Sequence, residues 1–315
     1  MILLNSRLST LTLSVRENRY DELMPASQRG SSPSGITRRK FILGSGVTAA
    51  GLAFYSGEIA RHEIDVVDTT IRIANLPNPF HGFRIVQLSD IHLDEFTEPV
   101  FLEYIIHRIN DLSPDLVVVT GDFITRGSLT FIASRHAAHR CAELLATLKA
   151  PQTYTILGNH DVSVSAPLVI DALRSAGVPI LVNQYVPIER AGSRIWLCGA
   201  DDAGTSHPDL DLTIPQKPDG PVILMVHEPD YADTVVQHPR GQLVDLMLSG
   251  HSHGGQVRMP FYGPLILPPM GQKYVMGNFR LGQMQLYVNR GIGAVGLPFR
   301  FACPPEITVH TLQPA

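Results

Sequence analysis

A short apolar run followed at once by residues able to bind a metal or carry a proton recurs five times along this chain, and that repetition constrains the fold more than any other feature. Phe83–Leu88 is followed by Ser89-Asp90-Ile91-His92, Leu116–Val119 by Thr120-Gly121-Asp122, and Thr153–Leu157 by Gly158-Asn159-His160-Asp161. Val222–Val226 leads into His227-Glu228-Pro229-Asp230, and Leu243–Leu248 into Ser249-Gly250-His251-Ser252-His253-Gly254-Gly255. Apolar runs this short, bounded by polar and glycine residues, read as strands buried on both faces, as in sheets covered by helices.

Helical spacing fills the gaps between them. Pro99 opens a stretch whose Phe101, Tyr104, Ile105 and Ile109 share one face, and Arg135 to Lys149 reads as a second helix. Ser165 to Ala176 reads as a third, with Ser165 as N-cap and Gly177 just past its end. Ile64 to Ile73 alternates like a half-exposed strand, and Ile195–Cys198, Gln285–Val288 and Ile307–Leu312 add further strands. Successive β-α units predict an α/β fold with a mostly parallel sheet, whose functional residues gather beyond the carboxyl ends of the strands.

Such a sheet would bring Asp90, His92, Asp122, Asn159, His227, His251 and His253 to one edge. One tetrahedral zinc takes about four ligands. Two metals about 3.5–4 Å apart, sharing a carboxylate, accommodate the whole set. In Asp90-x-His92 and His251-x-His253 the spacing sends alternate side chains to the same side of an extended segment, so each pair can face one cluster. Composition fits this reading, because 13 histidines stand against 3 cysteines. With 44% hydrophobic and 17% charged residues, a disordered chain and a disulfide scaffold are both excluded.

Charge is unevenly distributed. Residues 1–40 carry a net +4, which leaves −8 on residues 41–315 of a chain whose total is −4. No specific nucleic-acid binding is expected of so acidic a body. Phe41 to Gly57 is uncharged over 17 residues and follows Thr37-Arg38-Arg39-Lys40 directly. The adjacent arginines, the Phe two places on and the Gly- and Ala-rich run resemble a twin-arginine export signal. Ser56-Gly57-Glu58-Ile59-Ala60 matches a cleavage site poorly, so the segment could stay as a membrane anchor through 41–57. Residues 1–60 are accordingly assigned to a leader or anchor and 61–315 to the folded domain. Met24 is an alternative start. The expected location is outside the cytoplasmic membrane, in the periplasm or cell envelope, with the twin-arginine translocase as a partner during export.

The ordered set Asp90-x-His92, Gly121-Asp122, Gly158-Asn159-His160-Asp161, His227 and Gly250-His251-x-His253 resembles the full motif set of the calcineurin-like metallophosphoesterase superfamily. Gly82 to Asp90, Ser113 to Leu116, Leu248 to Gln256 and Pro304 to Thr308 resemble its exported branch, and the likeness covers roughly residues 63–313. It implies a metallo-dependent phosphatase fold, a four-layer α/β/β/α sandwich with two mixed sheets flanked by helices. It also implies two divalent ions: Asp90, His92 and His253 would hold the first, Asn159, His227 and His251 the second, with Asp122 bridging. Mn, Fe, Zn or Ni would suit these donors.

The implied reaction is hydrolysis of a phosphate ester by a metal-bridging hydroxide, with His160 protonating the leaving alkoxide and Asp161 orienting or charging its ring. Arg126, four residues after Asp122, sits where some members carry a phosphate-binding Arg. A phosphodiesterase is expected, with a phosphomonoesterase and an inactive membrane-tethered binding module as alternatives. His81, His107, His136, His139, His207, His238 and His310 are read as ordinary polar residues, and Cys141, Cys198 and Cys303 as buried thiols. The apolar stretch Pro260 to Phe301 is read as core of a second sheet in preference to a membrane-facing or lipid-binding surface.

Overall fold

The computed structural model describes residues 36–93, 95–127 and 131–315. The leader upstream of Ile36, Met24 included, lies outside them. The chain divides into Met1–Thr48 and Ala49–Ala315. In the described part of the first unit, Thr37 Oγ1 accepts the Lys40 N–H at 3.3 Å and opens helix α1 (Arg38–Phe54), whose residues are exposed. Among the described residues, no helix is long and apolar enough to cross a membrane. Whereas the sequence sets the leader's end near residue 60, Ser56 and Gly57 are already buried in the second unit, and Ser56 O accepts the Arg300 N–H at 3.0 Å.

The second unit holds two mixed sheets. The first contains β1 (Asp65–Ile73), β2 (Arg84–Leu88), β3 (Leu116–Val119), β4 (Thr153–Thr155) and β13 (Glu306–Pro314) in the order β1-β13-β2-β3-β4. The second contains β5 (Gln184–Arg190), β6 (Ser193–Gly199), β7 (Val222–Met225), β8 (Leu246–Ser249), β11 (Gly277–Leu281) and β12 (Met284–Val288), in the order β11-β12-β8-β7-β6-β5. A separate hairpin pairs β9 (Arg258–Met259) with β10 (Gly263–Pro264). Strands β2, β3 and β4 are mutually parallel, as are β6, β7, β8 and β12; β13 on β2, β11 on β12 and β5 on β6 run antiparallel.

Period-two alternation, with both faces covered, explains why the central strands read as apolar almost throughout, the buried Gln87 of β2 being an exception. Val86, Leu88, Val117 and Val119 face helices α2 (Pro99–Leu112), α3 (Phe131–Leu145) and α4 (Asn159–Ser175). Their neighbours Ile85, Leu116 and Val118 pack between the sheets with Ile223, Met225, Leu246 and Leu248. Val222, Leu224 and Met247 turn to the outer face, covered by α5 (Leu210–Thr213) and α6 (Ala232–Gln237) through Leu210 and Val235. The result is the expected α/β/β/α sandwich. Each such side chain contributes roughly 1.5–3 kcal/mol on burial.

Several local expectations shift. Tyr104 is exposed, and α2 buries Leu102 and Ile106 instead, beside Phe101, Ile105 and Ile109. Helix α3 begins four residues before Arg135. Helix α4 starts at Asn159, but Ser165 adopts extended backbone (φ 177°) and its Oγ accepts the Leu168 N–H at 3.4 Å, so it caps the second half as expected. Leu243 lies in a 3-10 turn, and β8 begins at Leu246. From Pro260 to Phe301 only β11 and β12 join the second sheet; Phe261, Tyr262, Leu265, Ile266 and Leu297 are exposed. The three cysteines are buried, as expected.

Candidate metal centre

At the carboxyl ends of β2, β3, β7 and β8 the ladders give way to loops that bond to one another. Asp90 N–H donates to Gly121 O at 3.0 Å, His92 N–H to Asp122 O at 3.0 Å, and Gly250 N–H to His227 O at 3.0 Å. The turns are tight enough that Asp90, His92, Asp122, His251 and His253 all take positive φ, between 49° and 70°. Non-glycine residues held there cost about 1–3 kcal/mol each and persist where the surroundings over-determine them, commonly at functional sites. Glycine is obligatory beside them. A Cβ on Gly158 would stand 2.3 Å from Asp122 Oδ1, and one on Gly250 would stand 2.4 Å from Asp90 Oδ2.

Two groups of donors result, Asp90 with His92 and His253, and Asp122 with His227 and His251; within each group the donor atoms lie within 4.8 Å of one another. Tautomers are set from behind. His227 Nδ1 donates to Thr120 O at 2.6 Å, leaving Nε2 unprotonated in the neutral ring, and His251 Nε2 donates to Pro269 O at 2.7 Å, leaving Nδ1 unprotonated. His251 Nδ1 then faces Asn159 Oδ1 at 3.0 Å, two lone pairs with no proton between them. In the other group His92 Nε2 stands 3.1 Å from His253 Nε2. Two ring nitrogens each about 2.0–2.1 Å from a common cation would be separated by about that much.

Asp122 lies between the groups. Its Oδ2 is 3.5 Å from His92 Nε2 and 3.2 Å from His227 Nε2, while its Oδ1 accepts the His160 N–H at 2.9 Å. His227 Nε2 is buried without a hydrogen-bond partner, as is His253 Nδ1. The orphaned His227 Nε2 and the facing lone pairs of His251 Nδ1 and Asn159 Oδ1 fit cations better than protons, and the residues present therefore fit a pair of divalent ions. The protonation states of three of the four histidine ligands agree. Burial lowers the pKa of His92 well below the ordinary value, lowers that of His251, and brings His253 down to about 4, keeping all three rings neutral and able to ligate. Burial works against charge on Asp122 too, but His227, His160 and His92 outweigh it and hold its carboxyl well below the usual range. Beside that carboxylate the pKa of His227 is raised, against the effect of its burial.

All seven expected ligands are thus brought together, Asn159 included. His160 is adjacent, its ring centroid 4.9 Å from that of His92, and the Arg126 N–H donates to its Nδ1 at 2.9 Å. That bond places the proton of the neutral ring on Nε2.

Two expectations are corrected. Asp161 does not touch the His160 ring. It is buried, and its carboxylate accepts the N–H groups of Asp122 (2.9 Å), Phe123 (3.0 Å), Ile124 (3.3 Å) and Gly158 (3.0 Å), tying the Asp122 turn to the Asn159 turn. Burial and the Asp122 carboxylate push its pKa up, and the backbone donors oppose them. Arg126 is exposed and does not line the cleft over the site; what it contributes is its main-chain N–H to His160.

Sequence reasoning missed Arg300. It is fully buried, and its guanidinium donates to the carbonyls of Gly293 (3.0 Å), Cys303 (3.1 Å), Arg290 (2.9 Å) and Gly291 (3.1 Å). It holds the loop that backs Asp90, where a Cβ on Gly291 would lie 2.6 Å from the Asp90 Cβ. Its place as the single cation of the apolar, glycine-containing run Gly291 to Cys303 was the one signal available.

A four-layer sandwich with two groups of metal-ligating side chains at its strand ends, in a chain that matches a phosphoesterase family, defines a metal-dependent phosphoric ester hydrolase. Residues 83–255 match the calcineurin-like phosphoesterase family, and the chain belongs to that family. It is 38% identical over 290 residues to the metallophosphoesterase YkuE of Bacillus subtilis (strain 168), covering 88% of this chain and 98% of that one. It is 31% identical over 298 residues to phosphodiesterase YaeI of Escherichia coli (strain K12), covering 88% and 99%. A solved dimetal phosphatase from Danio rerio superposes with a TM-score of 0.42 at 12% identity, covering 67% of this chain and 88% of that one.

Proposed function

We propose that this chain hydrolyses phosphodiesters at a dinuclear centre in which Asp90, His92 and His253 hold one divalent ion, Asn159, His227 and His251 hold the other, and Asp122 lies between them. The observation that carries this is the convergence of donor atoms in two groups: His92 Nε2 3.1 Å from His253 Nε2, and His251 Nδ1 3.0 Å from Asn159 Oδ1. Two ions bound there supply Lewis acidity, activating water near neutral pH and offsetting charge on the phosphoryl oxygens. Carboxylate, imidazole and amide oxygen donors suit Mn, Fe, Zn or Ni.

His160 Nε2–H donates toward the leaving oxygen, its ring held by the Arg126 N–H. Asp161 positions both turns and carries no proton in the reaction. Preference for a diester is supported by the cleft walls, which among the described lining residues include no Lys or Arg. A diester phosphate brings one negative charge to this site, whereas a monoester dianion would call for further cations. The relative YaeI is itself named a phosphodiesterase.

Chelated protein resupplied with Mn²⁺ is expected to cleave bis-p-nitrophenyl phosphate faster than p-nitrophenyl phosphate. Equal, metal-independent turnover of both would overturn the enzyme reading, and preference for the monoester would overturn the diester assignment. His160→Ala is expected to cut turnover by about 10²–10⁴ with bound metal unchanged. The Arg38-Arg39 pair and the apolar run behind it further support export through the twin-arginine route. On that reading Arg38→Lys with Arg39→Lys leaves the protein in the cytoplasmic fraction, and an unchanged distribution would refute it.

A further inference from the structure

The metal donors do not open onto a polar surface. Asp122, Asn159, His160, His251 and His253 form the floor of a cleft of about 810 Å³. Above that floor the walls are apolar, formed by residues such as Leu52, Met259, Leu265, Ile266, Leu297 and Phe299. Walls of this kind offer nothing to a soluble polyanion, and they match the hydrocarbon part of an amphipathic ligand.

The lip of the cleft strengthens the case. Hairpin β9–β10 and the residues after it present Phe261 (106% exposed), Tyr262 (89%), Ile266 (77%) and Leu265 (59%) to solvent. Contiguous exposed apolar side chains mark an interaction surface. Leu265 and Ile266 belong to both lip and wall, so this surface runs without interruption into the cleft and down to the metal donors. The hairpin is fixed relative to the site, because a Cβ on Gly255, two residues beyond His253, would lie 2.2 Å from the Pro264 Cβ. The Leu265 N–H also donates to Val257 O at 3.1 Å.

We propose that the substrate is a lipid phosphodiester, whose phosphate lies over the metal donors while its acyl chain runs along the apolar cleft and the hairpin tip seats in the lipid surface. The inference rests on the diesterase reading above and names its substrate class. In the reaction the oxygen of water bonds to phosphorus and one P–O ester bond breaks. The leaving alcohol oxygen takes the proton, giving a phosphomonoester and an alcohol with the acyl esters intact.

The test uses the full chain loaded with Mn²⁺ and two water-soluble phosphatidylglycerols, dibutyryl and dihexanoyl, with bis-p-nitrophenyl phosphate in parallel. The headgroup is constant, and each added buried methylene is worth a factor of about four. The expected result is a rise in kcat/KM of at least about tenfold from dibutyryl to dihexanoyl. In the double variant Leu265→Asp/Ile266→Asp, whose side chains are exposed enough to change without unfolding, that ratio is expected to fall below about threefold, with metal content as the check on folding. A wild-type ratio within about twofold, or a ratio that survives in the variant, overturns the inference. If bis-p-nitrophenyl phosphate is cleaved while the chain-length response is flat, the lipid assignment alone fails. Absence of Mn²⁺-dependent cleavage of bis-p-nitrophenyl phosphate overturns the diesterase reading itself, and the inference with it.

Discussion

Replacing Asp161 by Asn separates two accounts of this residue. Its two carboxylate oxygens accept four backbone N–H groups, from Asp122 and Gly158 on Oδ2 and from Phe123 and Ile124 on Oδ1. Asn keeps one oxygen, so two of those donors lose their acceptor and face an NH2 group instead. Two lost bonds to a charged acceptor, at about 1.5–3 kcal/mol each, amount to roughly 3–6 kcal/mol. Native domains have about 5–15 kcal/mol in total, so the loss is a large part of the margin. Urea unfolding of the chelated wild type and Asp161→Asn measures it directly. Bound metal should fall as well, because the same carboxylate sets the Asp122 and Asn159 turns side by side. An unfolding free energy within about 1 kcal/mol of wild type, with metal intact and only turnover reduced, would refute this account and restore a role on the His160 ring.

Further outcomes follow from other contacts. Gly250→Ala places a Cβ 1.8 Å from Ser89 Oγ and 2.4 Å from Asp90 Oδ2, and metal titration of the variant is expected to show lost affinity; wild-type affinity would show that the Asp90 turn has room to yield. His310 is fully buried between Gln87 and Thr69, and burial lowers its pKa to about 3. Between that value and about 6.5 the unfolded chain binds a proton that the folded chain refuses, so its contribution to stability is present above pH 6.5 and is lost as pH falls. Relative to His310→Gln, wild type should lose about 2 kcal/mol of unfolding free energy between pH 7 and pH 5, and parallel pH profiles would contradict this.

The metal donors were legible because each follows a strand whose apolar run ends abruptly, and parallel pairing of β2 with β3 and of β7 with β8 does the rest. Asp161 was misread because sequence adjacency to His160 suggested contact, whereas helix α4 turns neighbouring side chains in different directions and sends the carboxylate back under the Asp122 turn. Strand β5 escaped notice because it is a sheet edge, exposed at Gln184, Tyr185 and Pro187, with Ile188 its one fully buried side chain. The stretch from Pro260 to Phe301 mixes two environments that composition cannot separate. Leu286 and Val288 are buried in β12, while Phe261 and Ile266 are in water above the cleft.

Metal stoichiometry, with anomalous diffraction from crystals of the Mn²⁺-loaded protein, tests the central claim most directly. The account requires two ions per chain, one against His92 Nε2 and His253 Nε2 and one against His227 Nε2, His251 Nδ1 and Asn159 Oδ1, with Asp122 between them. A single ion, or ions bound away from these atoms, would contradict it.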